Sequence, residues 1–312
     1  MDLSEAKSLI DAVDARTKLA GSNKMEILLF SLGTSEIFGI NVFKVREVTK
    51  APTITRTPNM PAGVEGLISL RGNIIPVVDL ARFIDVGHAG SGISDTMMVA
   101  EYCRRTQGFL VHEVDRIIRV DWDKVRAPEN ALAGAEGLIT AITELPDGKL
   151  VSILDVEQIL VQAFGDVAVP DFEPVAGGHE VTMMYIDDSV VARKEIGQVL
   201  EKLGVKSQQA TNGQEAWNKL QALAGQAHHD GVPLKSRLRL VLTDAEMPEM
   251  DGYVLTRHIK SDRRFDGIPV VMHSSLSSVA NRAMGKTVGV DAYVAKFDPA
   301  VLADTLRPLL LR

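Results

Sequence analysis

Leu240-Val241-Leu242-Thr243-Asp244-Ala245-Glu246-Met247-Pro248 joins a short apolar run to a single carboxylate and a Met-Pro turn; Asp251-Gly252 and an apolar helical pattern follow. A buried parallel strand delivers its last side chain to the carboxyl edge of its sheet, where open α/β folds place their chemistry. An Asp there is either a turn or helix-capping residue or a reactive group. Three more apolar runs end in polar residues. Residues 181–186 lead into Asp187-Asp188-Ser189, residues 268–273 into Ser274-Ser275, and residues 291–295 into Lys296. Helical patterns separate the runs, so the strands are expected to be parallel, with their carboxyl ends on one edge. Clustered Asp side chains in a partly dry site repel one another and raise a carboxyl pKa unless a cation sits among them. Mg²⁺ suits such a cluster, being hard and oxygen-preferring.

Residues 180–312 resemble the response-regulator receiver domain, an α/β doubly wound, flavodoxin-like (βα)5 fold. The resemblance implies that Asp244 is the phosphoacceptor. It implies a Mg²⁺ site made of Asp187, Asp188, Asp244 and the backbone carbonyl of Glu246. Ser274 stands where the family carries its switch hydroxyl, Lys296 where it carries its lysine, and Tyr293 where it carries its switch aromatic. A carboxylate nucleophile can form an aspartyl phosphate, and phosphoryl transfer needs positioning and charge neutralisation. Two features depart from the pattern. Lys296 is followed by Phe297-Asp298-Pro299 instead of directly by Pro, and the segment 224–238 is longer than usual. His228-His229-Asp230 in that segment read as exposed loop residues.

The chain has 312 residues, enough for about two domains. Its net charge of -7 argues against a non-specific nucleic-acid binder, since no basic field would gather phosphates. Cys103 is the sole cysteine, which rules out an intrachain disulfide and suits the cytosol. No basic, apolar leader opens the chain, and no run approaches the roughly 18 apolar residues of a spanning helix, so a cytoplasmic protein is expected.

Residues 1–21 read as an amphipathic N-terminal helix. Residues 22–165 change to all-β patterning, with strands expected at 25–32, 35–40, 63–70, 73–79, 95–102, 107–114, 137–145 and 149–154. An internal echo runs through them. Glu65-Gly66-Leu67-Ile68-Ser69 and Ile74 to Leu80 match Glu136-Gly137-Leu138-Ile139-Thr140 and Leu150 to Val156. Two similar β units, roughly 25–85 and 95–160, are expected to share a core. Asp79 and Asp155 hold equivalent places in the echo, which favours a turn or cap role. No enzyme signature appears, and His88 and His112 stand without ligand partners in the sequence.

Val64 to Leu80, with Arg71-Gly72-Asn73 as a tight hairpin, resembles the hallmark of CheW-type coupling domains. That resemblance implies two five-stranded β-barrel subdomains and a scaffold joining methyl-accepting chemoreceptors to the histidine kinase CheA. Arg71 matches the family's functional, partner-binding arginine. Residues 166–179, with two prolines and a Gly pair, read as a linker reaching at most about 45–50 Å, leaving the receiver free to dock or swing. No DNA-binding or catalytic output domain is expected after the receiver, so its output is expected in the CheW-like half.

The whole order resembles the CheV family of chemotaxis coupling proteins. It implies a cytoplasmic, non-enzymatic scaffold that meets the membrane only through receptor arrays, with coupling tuned by phosphorylation of Asp244. A phosphate sink draining CheA is the first alternative. A Mg²⁺-dependent phosphatase is the second, although its nucleophile would belong on the first strand.

Overall fold

Short strands of alternating polarity, broken by turns, build the first half of the chain, and βα alternation builds the second. The computed structural model describes residues 24–84, 86, 95–102, 105–126, 137–165, 168–180, 182–274, 279–296 and 298–311. The expected N-terminal helix, His88 and Cys103 lie outside these residues. Residues 24–165 belong to one compact unit and 168–311 to a second.

Among the described residues the first unit has ten strands: β1 (Lys24–Ser31), β2 (Ile37–Asn41), β3 (Val45–Lys50), β4 (Val64–Leu70), β5 (Asn73–Asp79), β6 (Thr96–Tyr102), β7 (Arg105–Val111), β8 (Glu113–Asp121), β9 (Ile139–Glu144) and β10 (Leu150–Leu154). They form two five-stranded sheets, ordered β3-β6-β7-β5-β4 and β8-β1-β2-β10-β9. The echo is present, but the sheets do not follow its boundaries. Hairpin β1–β2 joins β8–β10, and hairpin β6–β7 joins β3–β5, so each sheet draws its hairpin from the other half of the repeat. In each sheet the segment after the first strand of the trio bridges the second: Thr55 pairs with Leu67, and Arg126 with Ile142. The exchange explains the shared core. Leu28, Phe30 and Ile40 pack in one cluster with Val45, Val64, Val78, Met98 and Phe109.

Two strands differ from the expectation. β3 is mostly polar and only Val45 and Val48 are buried, which leaves too short an alternation to read. The strand expected at 107–114 covers most of β7 and only the first two residues of β8, and the turn at His112 carries no Gly or Pro to mark it. Asp79 and Asp155 are both caps. The Asp79 carboxylate accepts from the N–H groups of Ala81 and Arg82 at the start of α1 (Leu80–Phe83). That of Asp155 accepts from Gln158 N–H at the start of α2 (Val156–Phe164).

The second unit is a parallel sheet of β11 (Thr182–Ile186), β12 (Lys206–Ala210), β13 (Leu240–Thr243), β14 (Val270–Ser274) and β15 (Ala292–Ala295), ordered β12-β11-β13-β14-β15. Its helices are α3 (Val190–Lys202), α4 (Gly213–His229), α5 (Gly252–Ser261), α6 (Val279–Val288) and α7 (Pro299–Leu310). Period-two alternation splits each buried strand between two cores. Met183, Tyr185, Leu240 and Leu242 face one cluster with α3 and α7. Met184, Ile186 and Val241 face the other, with α4 and α5. The strand order reverses between β11 and β13, and that switch point is where such sheets bind ligands. The long segment 224–238 begins as a continuation of α4 that carries the exposed His228 and His229, which were expected in a loop, and Asp230 pairs with Arg237 beyond it.

The proline-containing segment is not a free spacer. Val175 is buried, and Val169 and Phe172 pack on the α3/α7 core. Lys202 donates to the Val169 carbonyl at 2.7 Å and pairs with Asp171 at 2.8 Å. Arg307 donates to the Glu173 carbonyl at 2.6 Å, and the Val175 N–H donates to the Leu203 carbonyl at 2.9 Å. The fully extended reach expected from the sequence is therefore not available. Replacing Val175 by Ala is expected to cost this unit about 2 kcal/mol. Urea unfolding followed by Trp217 fluorescence, with Trp122 changed to Phe, would measure it; an unchanged midpoint would mean that the strap adds no stability.

Candidate functional site

The carboxyl edge of the second sheet collects four charged groups from three strands. Asp187 and Asp188 follow β11, Asp244 follows β13 and Lys296 follows β15. The three carboxylates place one oxygen each within 4.8 Å of one another. Among the described residues no other group of three acidic, His or Cys side chains is gathered in this way. The Lys296 Nζ lies 2.8 Å from Asp187 Oδ2 and 2.8 Å from Asp244 Oδ2. Asp187, Asp244 and Lys296 are all buried.

Backbone groups fix the carboxylates. Asp187 Oδ1 accepts from the Ser189 N–H at 3.0 Å, and Ser189 caps α3. Asp244 Oδ1 accepts from the Ala245 N–H at 2.6 Å. Asp244 N–H donates to the Ile186 carbonyl at 2.8 Å, which continues the β11–β13 ladder up to the site. Three residues that the sequence reading did not single out complete the frame. Arg193 Nη1 donates to the carbonyls of Asp187 at 2.7 Å and Asp188 at 2.8 Å, so one guanidinium holds the whole acidic loop. Thr243 donates its hydroxyl to the Asp244 carbonyl at 2.9 Å. Gly252 lies so close that a Cβ would stand 1.9 Å from the Asp244 carbonyl oxygen. An Arg one helical turn beyond a capping Ser is the only sequence signal for the first of these.

Burial pushes the Asp244 carboxyl well above the ordinary carboxylate range; the Lys296 ammonium opposes that, and Asp187 and Asp188 add to it. Three carboxylates answered by one ammonium leave a net negative charge, which fits Mg²⁺, an ion that accepts a few carboxylates and keeps its remaining positions for water and phosphate oxygens. Ser274 is buried at the end of β14 and its hydroxyl sits against the Tyr293 phenol. Burial, with the carboxylates of Asp244 and Glu246 nearby, pushes that phenol up to about 12, although Ser274 and Tyr253 pull the other way. Glu246 is half-buried, two residues beyond Asp244. The expected residues Asp187, Asp188, Asp244, Lys296, Ser274 and Tyr293 therefore stand at one edge of one sheet.

Arg71 belongs to the other unit. It forms the tip of the β4–β5 hairpin, where Leu70 pairs with Asn73 and φ is +51° at Arg71 and +84° at Gly72. A left-handed conformation costs a non-glycine residue about 1–2 kcal/mol. Asn or Gly would turn this corner more cheaply, so the Arg side chain is not there for the turn. Its Nη2 lies 2.5 Å from Glu47 Oε2, and the side chain is 69% exposed.

The sequence matches the CheW-like domain family over residues 26–164 and the response regulator receiver domain family over residues 183–307. It is similar over most of its length to chemotaxis proteins of Helicobacter pylori. CheV3 is 32% identical over 282 residues, 88% of each chain. CheV1 is 28% identical over 96% of this chain and 97% of its own. The scaffolding protein TtCheW of Thermoanaerobacter tengcongensis, a solved structure, is 29% identical over 46% of this chain and 90% of its own, with a TM-score of 0.42.

The folded-state pKa of Asp244 is raised, so stability is expected to fall as pH rises from the unfolded-state value through the folded one. At neutral pH the charged form is a burden that Asn does not carry. Asp244→Asn should therefore raise the melting temperature in metal-free buffer at pH 7, by a free energy on the order of 1–3 kcal/mol. The gain should shrink on acidification. A variant that melts below the wild type at pH 7 would mean that the Lys296 pairing outweighs the desolvation.

Proposed function

The chain belongs to the CheV family of chemotaxis proteins, and we propose that it is a scaffold coupling chemoreceptors to the histidine kinase CheA, tuned by phosphorylation of Asp244. The observation that carries this reading is the buried Asp244 carboxylate, held 2.8 Å from the Lys296 ammonium in a chain that also carries a CheW-like domain.

In the proposed cycle a carboxylate oxygen of Asp244 attacks the phosphorus of a phosphohistidine. The P–O bond forms, the P–N bond breaks, and its electron pair stays on the imidazole. Asp187, Asp188, Asp244 and the Glu246 carbonyl would hold Mg²⁺, which when bound supplies charge neutralisation for the phosphoryl oxygens. Lys296 neutralises charge from the opposite side and positions the acceptor. Arg193 keeps the acidic loop in register, and the Ala245 N–H orients Asp244. After transfer, Ser274 donates to the new phosphoryl group, and Tyr293, which touches Ser274, reports the change at the surface of β15. Moving such a switch from about 1:99 to 99:1 takes roughly 5.5 kcal/mol of differential stabilisation. A doubly charged group facing an ammonium and a hydroxyl supports a change of that size. Arg71 and the β4–β5 hairpin serve the scaffold half, where an exposed guanidinium held by Glu47 offers a partner a charged, pre-oriented contact.

Reconstitution tests both halves. Receptor-containing membranes, CheA and this protein, without separate CheW, should give an active kinase that co-sediments. Adding a phosphodonor should change that activity in the wild type and not in Asp244→Asn. Arg71→Ala should lower co-sedimentation by about tenfold or more, as truncation of an interfacial charged anchor does. If kinase activity is the same with and without donor while phosphoryl groups drain from CheA, the protein is a sink and not a tuned scaffold.

A further inference from the structure

Asp187 and Asp188 are neighbours in sequence, yet both carboxylates reach the same cluster. A strand turns successive side chains to opposite faces, so the chain has to curl once β11 ends at Ile186. The curl shows in the main chain. The carbonyls of Asp187 and Asp188 converge on one nitrogen, Arg193 Nη1, at 2.7 and 2.8 Å. Backbone carbonyls taken from water need a donor, and here the two share a guanidinium, which is planar and always charged.

Arg193 reaches them because of its place in α3. Its own N–H donates to the Ser189 carbonyl at 3.1 Å, one turn from the cap. Helical side chains tilt toward the helix N-terminus, so that of Arg193 lies back over the first turn, toward the acidic loop. Asp187 is also fixed through its carboxylate, Oδ1 by the Ser189 N–H at 3.0 Å and Oδ2 by Lys296 at 2.8 Å. The loop therefore turns its carboxylates to the edge of the sheet and its two carbonyls to Arg193. That division bears on the choice of ion. Mg²⁺ is small, demands near-octahedral geometry and takes one or two carboxylates while keeping several waters. Ca²⁺ takes six to eight oxygens in flexible geometry, backbone carbonyls among them. A loop whose carbonyls are already engaged does not enlarge its set of donors to suit the larger ion.

We propose that Arg193 is a positioning residue that makes this edge select Mg²⁺ over Ca²⁺, by withholding the carbonyls of Asp187 and Asp188 from the ion. The inference rests on the proposed metal site at Asp187, Asp188 and Asp244. Arg193 does not touch the ion; it acts through the loop that does.

The test melts the full chain, wild type and Arg193→Met, in rising MgCl₂ or CaCl₂, and takes each dissociation constant from the rise in melting temperature. Loss of the guanidinium charge favours both divalent ions alike, so the ratio of the two constants is the quantity to read. The preference for Mg²⁺ should fall by about fivefold or more, a change of the order that outer partners of a metal site are worth. Arg193→Lys keeps the charge but lacks the planar fork, and should lose less of the preference, about twofold to threefold. It decides the matter alone if the Met variant does not melt cooperatively. A ratio unchanged from wild type in the folded variant overturns the proposal, as does a wild type that Ca²⁺ stabilises as well as Mg²⁺. A wild type whose melting temperature does not respond to Mg²⁺ would instead overturn the metal-site reading, and the proposal with it.

Discussion

The ammonium of Lys296 between Asp187 and Asp244 is the contact on which the second unit depends. Three carboxylates meet at the end of the central strands, two of them buried. Without a cation they would repel one another in a medium that screens poorly. Lys296 reaches Oδ2 of both buried acids at 2.8 Å, so one charge answers two. That still leaves the cluster negative, and this residual charge makes the edge receptive to a hard cation and a reacting phosphorus. The strand order serves this contact. β13 lies between β11 and β14, and β15 is the far edge strand, so the lysine must reach inward across the end of β14. The Lys296 N–H donates to the Ser274 carbonyl at 3.0 Å, which ties the lysine's backbone to the last residue of β14.

Much of this edge was legible in the sequence because a buried parallel strand leaves little choice about where its last residue points. Apolar runs ending in Asp, Ser and Lys placed those groups together before any coordinate was known. The frame behind them was less visible. Arg193 acts through its guanidinium on two backbone carbonyls, and no pattern of residue types announces a side chain that holds main chain. Gly252 looked like a helix start. Its need is steric and comes from the chain folding back within van der Waals contact of the Asp244 carbonyl.

The first half gave up its repeat but not its pairing. Periodicity records which face of a strand is buried; it does not record which neighbour the strand finds. β1 and β6 occupy equivalent places, yet β1 pairs with β8 and β6 with β3, each across the repeat boundary. An exchanged hairpin ties both sheets to both halves, so neither half of the repeat closes a sheet by itself. This is the physical form of the expectation that the two units share a core. The strap before the receiver was hidden for a different reason. Prolines and glycines exclude a regular helix, and that was read as freedom. An irregular segment can still be held when it brings Val169, Phe172 and Val175 to an apolar face and finds Lys202 and Arg307 as donors.

The proposed tuning requires that the chemistry at Asp244 be felt elsewhere, and Ser274 gives it a short path. Ser274 sits where β14 ends, and β14 pairs with both β13 and β15. In the proposed cycle a phosphoryl group on Asp244 would draw on the Ser274 hydroxyl, beside which the Tyr293 phenol lies. Packed cores respond to such a change by switching between discrete arrangements rather than by yielding gradually. Tyr293 is only half-buried. Its ring therefore spans the buried edge and the surface of β15, beside Ser274. A coupling scaffold needs no more from its receiver than two surfaces whose balance follows the charge on one aspartate.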